Sequence, residues 1–148
     1  MNHHTVVMQH ELFRTIRRTL EKHFSLETAY GNPSHLGPRS TGQCGVVSVI
    51  VAEMTGARIA QTYVGGDSHL FNRVTIEGHT FDVDLTADQF GYQSVLFKQA
   101  GSLWQPVTSI SHSDIPYEMI RRAALLAERA GFDCVQQSLE ERLQLSAA

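Results

Sequence analysis

Cysteine is scarce in this chain of 148 residues: only two, Cys44 and Cys134, placed far apart and in different contexts. Two are too few for a disulfide framework, so a reducing compartment, the cytoplasm, is the expected setting. No sign of charge dominates either. Lys and Arg number 12 against 15 Asp and Glu, for a formal net charge of −3. A duplex-binding domain carries a basic footprint that is missing here, so nucleic acid is not an expected partner. No apolar run approaches the roughly 18 residues of a membrane span. Met1 to Met8 show no charged region leading into an apolar one, so neither a membrane segment nor a secretory signal is expected. Internal repeats, linkers and low-complexity tracts are also missing, and the chain reads as a single domain over residues 1–148, long enough for one core.

Hydrophobic residues make up 42% and charged residues 18%, the balance of an ordinary globular protein. Between Gln9 and Phe24, apolar Leu12, Phe13, Ile16, Leu20 and Phe24 recur at helical spacing, with Arg14, Arg17, Arg18, Glu21 and Lys22 on the other side. Ser25 to Thr41, rich in glycine, proline and hydroxyls, reads as an irregular loop. Cys44 to Met54 reads as a helix apolar on most sides, hence buried, and ended by Gly56. Strands are expected over Ala57–Val64, His69–Ile76 and His79–Leu85, the last two joined by Glu77-Gly78 as a two-residue hairpin loop. One further strand is expected around Leu103–Ile110. Ser113-Asp114 as N-cap, Pro116 and the periodic Ile115, Met119, Ile120, Ala123, Leu126 and Ala127 predict a helix stopped by Gly131. A last helix follows from Asp133 to Leu145. The class is α+β.

The chemistry-bearing residues begin with Gly42-Gln43-Cys44-Gly45, a thiol at the start of a helix. There the backbone N–H groups and the helix dipole favour the thiolate, which is the form that attacks carbonyls. The hairpin register makes one face apolar, with Val74 opposite Phe81, Asn72 opposite Val83 and Leu70 opposite Leu85. The opposite face carries His69, Phe71, Arg73 and Thr75 with Thr80, Asp82 and Asp84. Arg73 lies directly across from Asp82, which reads as its ion partner. Asp84 is diagonal to His69, with backbones roughly 7–8 Å apart, within side-chain reach. Cys44, His69 and Asp84 are therefore the expected nucleophile, base and orienting acid of a thiol acyl-transfer site. The oxyanion needs donors. The Cys44 backbone N–H is the first, and the Gln43 side chain and Trp104 are the two candidates for the second.

These strings carry a resemblance. Gly42-Gln43-Cys44, then His69 opening a strand, then Asp84-Leu85-Thr86 closing the next, are similar to the transglutaminase core of the papain-like superfamily. Gly65-Gly66, His69 with Asn72, and Asp84-Leu85-Thr86-Ala87-Asp88-Gln89-Phe90 resemble the YunG-like family of small bacterial proteins, over roughly Asn32 to Gly91. The resemblance implies a papain-like fold, with the cysteine helix packed on a small antiparallel sheet, and the same Cys44, His69 and Asp84 roles. The expected substrate is an acyl or amide group of a small molecule or a peptide, and neither a cofactor nor a metal is expected. The chain departs from the papain-like pattern at Gly45, where tryptophan is usual, and in offering no glutamine around Pro38–Ser40.

Two rival readings stand beside the enzyme. One is a non-catalytic binding protein on the same scaffold. The other is a metal-binding module built from His69, His79, Asp82 and Asp84, although the register turns His79 away from His69. Cys134 reads as a small apolar filler. His35, His79 and His112 read as surface or loop-end residues, and Thr86 as the cap of a short helical turn.

Overall fold

The apolar stripe near the start of the chain folds as α1 (His3–Glu21) in a computed structural model that describes residues 2–31 and 37–147. The helix starts earlier than its periodicity suggests because the Asn2 side chain accepts a hydrogen bond from the His4 N–H at 2.9 Å. Its buried face is the expected Phe13, Ile16 and Leu20, with Arg17 added and Leu12 left out. Leu12 is 42% exposed while Arg17 is 4% exposed. Arg17 turns inward because oxygens await it there: the buried Leu85 carbonyl at 2.6 Å and the half-buried Asp88 carboxylate at 2.9 Å. The described residues of the expected loop, 25–31 and 37–41, form turns and irregular backbone, while the remainder of it, Asn32, Pro33 and His35 included, lies outside the described residues.

Among the described residues the rest of the chain forms α2 (Cys44–Thr55), β1 (Arg58–Val64), β2 (Asp67–Ile76), β3 (His79–Asp84), β4 (Leu96–Gln99), β5 (Thr108–Ile110), α3 (Tyr117–Ala130) and α4 (Asp133–Ala147). The class is α+β, with an antiparallel five-stranded sheet in the order β4-β3-β2-β1-β5. Glu77 and Gly78 both take positive φ, 50° and 81°, the geometry of a tight hairpin turn that follows strand twist. The β2–β3 register places Asn72 opposite Val83, Arg73 opposite Asp82 and Val74 opposite Phe81, as the alternation requires.

Two expectations about the second half are corrected. Of the strand foreseen around Leu103–Ile110, only β5 joins the sheet, while the unforeseen β4 forms its other edge. Ser113 and Asp114 do not cap α3; they lie in a 3-10 turn (His112–Asp114) whose cap is Ser111, and the helix starts after Pro116. Proline at that point cannot extend the preceding turn, and its fixed φ leads directly into the new helix.

The sheet divides the interior in two. α2 is buried from Gly45 to Ala52, lying against β1 and β2 on one side and α3 and α4 on the other. Val46, Val49, Ile50, Leu70, Val83, Leu126 and Leu139 belong to that larger core. A smaller core on the opposite face gathers Ala60, Phe71, Ala87, Leu96 and Trp104. Cys134 is exposed in the first turn of α4 rather than buried as filler, because the inward position there is taken by Val135. None of the described helices is long and apolar enough to cross a membrane.

Candidate active site

Strand alternation places His69 on the smaller core, where it is wholly buried. Its Nε2 lies 2.6 Å from Asp84 Oδ2, the diagonal contact between β2 and β3. Both side chains are 1% exposed, so the pair is shielded from water and salt. Asp84 is held at both oxygens. Oδ1 accepts from the Thr86 backbone N–H at 3.0 Å and its hydroxyl at 3.3 Å, and Oδ2 accepts from Trp104 Nε1 at 3.0 Å. The carboxylate that ends β3 thus closes its own turn two residues on, a local motif at which Asp is common.

Aromatic rings enclose the imidazole. Phe90 and Trp104 meet it edge-on at centroid distances of 4.7 and 5.2 Å, and Phe71 stacks at 6.2 Å. Burial pulls the His69 pKa down, but hydrogen bonding to Asp84 and the nearby Cys44 thiol outweigh it, raising the value from 6.5 to about 9. With Nε2 engaged by Asp84, Nδ1 is the ring nitrogen left for sulfur. It is buried and makes no hydrogen bond to any described group, while Cys44 lies near enough to help raise the ring's pKa.

Cys44 opens α2, half-buried at the margin of the larger core. Gln43, the N-cap residue, makes no side-chain cap hydrogen bond, so the first backbone N–H groups of the helix are left uncapped by it. Gly45 has a packing reason. A Cβ there would stand 2.6 Å from Met119 Cε and 2.8 Å from Sδ, so α3 already fills the space a larger residue would need.

Both side chains expected to serve the oxyanion are directed elsewhere. Gln43 is buried in the loop, its Oε1 accepting from Thr28 at 3.0 Å and its Nε2 donating to the Ser25 carbonyl at 2.9 Å. Trp104 donates to Asp84 Oδ2, the same oxygen that meets His69, so it buttresses the acid. Asp82 pairs with Arg73 at 2.6 Å and also accepts from the Gly101 N–H at 3.0 Å. His79 and His112 are exposed. Among the described residues no group of three or more His, Cys, Asp and Glu is arranged to hold a metal ion.

Sequence reasoning missed the second set of supports. Thr86, expected to cap the turn that follows, makes no side-chain cap hydrogen bond there and turns its hydroxyl back to Asp84 instead. Phe71 and Phe90 had no readable signal, since aromatic residues on a strand and in a turn look like any core filler. The family model described as YunG protein matches residues 12–128, a span that holds Cys44, His69, Asp84 and Trp104. No curated protein and no solved structure matches the chain.

Proposed function

The chain belongs to the YunG family, and on that premise we propose that it is a cysteine-dependent acyl-transfer enzyme with a papain-like, transglutaminase-like core. Its substrate is an amide or related acyl group, and it acts through a thioester on Cys44. The single observation that carries this reading is the buried contact of 2.6 Å between His69 and Asp84, with the Cys44 thiol as the ring's other neighbour.

In the proposed cycle the Cys44 thiolate attacks the substrate carbonyl carbon while His69 stands protonated beside it. A His69 pKa of about 9 keeps the imidazolium populated at neutral pH. The tetrahedral oxyanion is met by backbone N–H groups at the start of α2, beginning with that of Cys44. His69 then donates its proton to the departing amine as the C–N bond breaks, leaving the thioester. Water or a second amine attacks the thioester carbonyl, gives a proton to the neutral imidazole, and releases the thiolate. Asp84 holds the ring orientation and stabilises its charged form throughout. Hydrolysis, deamidation and transfer share the first half of this cycle. A cytoplasmic setting, where thiols remain reduced, suits such a nucleophile, and both cysteines are free.

The test is iodoacetamide labelling read by intact mass on wild type and Cys44→Ala. Cys44 should alkylate much faster than Cys134 and remain reactive below about pH 7, where an ordinary thiol is almost wholly protonated. Cys44→Ala should remove the fast phase completely. A Cys44 rate that simply follows an ordinary thiol titration returns the protein to a non-catalytic binding role.

A further inference from the structure

The acyl-transfer reading assigns no task to Asp88, although its carboxylate joins three separate parts of the chain. We propose that Asp88 is a positioning residue of this same site, fastening the loop that delivers Cys44 to the turn that delivers Asp84. The inference rests on the acyl-transfer reading and adds to it the device that holds nucleophile and acid in register.

On one side the connection runs through Ser40. This fully buried residue donates its hydroxyl to Asp88 Oδ1 at 2.7 Å. The Ser40 carbonyl accepts the Gln43 N–H at 2.9 Å, one residue before the nucleophile. On the other side stands Arg17 of α1. Its guanidinium grips both Asp88 oxygens at 2.9 Å and also donates to the Leu85 carbonyl at 2.6 Å, one residue after Asp84. Asp88 lies within the 3-10 turn Ala87–Phe90, and the last residue of that turn, Phe90, presses edge-on against the His69 ring. A shift of this carboxylate therefore moves the approach to Cys44, the segment after Asp84 and one wall of the imidazole cage together.

The nucleophile loop and the acid turn come from distant stretches of chain and are not strand neighbours, so no sheet ladder sets their separation. A two-oxygen carboxylate facing a planar guanidinium has a defined orientation, which a single hydroxyl contact lacks. Ser40 thus docks onto an acceptor that Arg17 has already oriented. The Arg17 and Ser40 hydrogen bonds offset the burial of Asp88 and hold its carboxyl below the usual range, so the acceptor stays charged wherever the thiol chemistry operates.

The experiment follows iodoacetamide alkylation of full-length wild type, Ser40→Ala and Asp88→Asn across about pH 5 to about pH 9, with Cys134 as internal control and thermal melts alongside. In Ser40→Ala the Cys44 rate at about pH 6 should fall about tenfold or more, since small misplacements at a reacting centre cost factors of that order. The Cys134 rate should stay unchanged and the fold should be retained. Asp88→Asn keeps an acceptor oxygen but loses the charge facing Arg17, and it should slow Cys44 in the same direction. If both variants keep the wild-type Cys44 profile, whatever happens to their melting temperatures, the clamp is structural only and the proposal is overturned while the enzyme reading stands. If wild-type Cys44 itself behaves as an ordinary thiol, the enzyme reading fails and this inference fails with it.

Discussion

His69 shows how a single residue takes its chemistry from its neighbours. An isolated imidazole loses its proton near 6.5, whereas this one holds it to about 9, because Asp84 and Cys44 offset the cost of burial. Between those values the folded chain carries a proton that the unfolded chain lacks, so stability falls as pH rises through that window. The His69 contribution is complete below 6.5 and is lost above about 9. Urea denaturation at several pH values should show the decline, and His69→Gln should flatten it. Identity and position of His69 and Asp84 were legible in the sequence, since period-2 alternation and a two-residue turn place both on one face. The Trp104 role was not. Its N–H reaches Asp84 from a loop after β4, and nothing local to that loop specifies which acceptor it meets.

Among the elements, the β2–β3 hairpin follows its sequence most closely, because a two-residue loop leaves one register that keeps Val83 and Asn72 on the buried side. Its turn is not optimal. Glu77 takes a φ of 50°, a conformation that disfavours most side chains and suits asparagine. Glu77→Asn should stabilise the protein by about 0.5–1 kcal/mol, measured as a shift of the denaturation midpoint at constant slope. The lost partner there is the exposed Asn2 N–H, which water can replace. β4 escaped detection because its four residues, Leu96-Phe97-Lys98-Gln99, are too few to display a period. Its place is decided by Phe97, which packs on His10 and Phe13 of α1 and on Phe81 of β3. The start of α3 was misplaced for a related reason. Ser111 and Ser113 compete as caps within three residues, and the 3-10 turn between them is a tertiary outcome.

At the scale of the whole molecule, Arg17 ties α1 to the sheet and to the segment between β3 and β4. It is 4% exposed and serves Asp88, Leu85, Ser94 and Glu21 at once. Arg17→Met keeps much of the apolar stem but leaves a carboxylate and two carbonyls without their donor. The expected loss is about 1–3 kcal/mol in equilibrium unfolding, since acceptors in a mostly buried setting lose their donor while Asp88 keeps some contact with water. The class, most helices, the start of α2 at Cys44, the hairpin register and the shared face of His69 and Asp84 were determined by the amino-acid sequence alone, because each rests on periodicity or turn chemistry acting over a few neighbouring residues. The inward turn of Arg17, the β4 edge, the aromatic wall around the imidazole and the Ser40–Asp88 connection were decided only in three dimensions. Each needs a partner from a remote stretch of chain, and the free energy of burying a polar or aromatic group depends on which partner arrives.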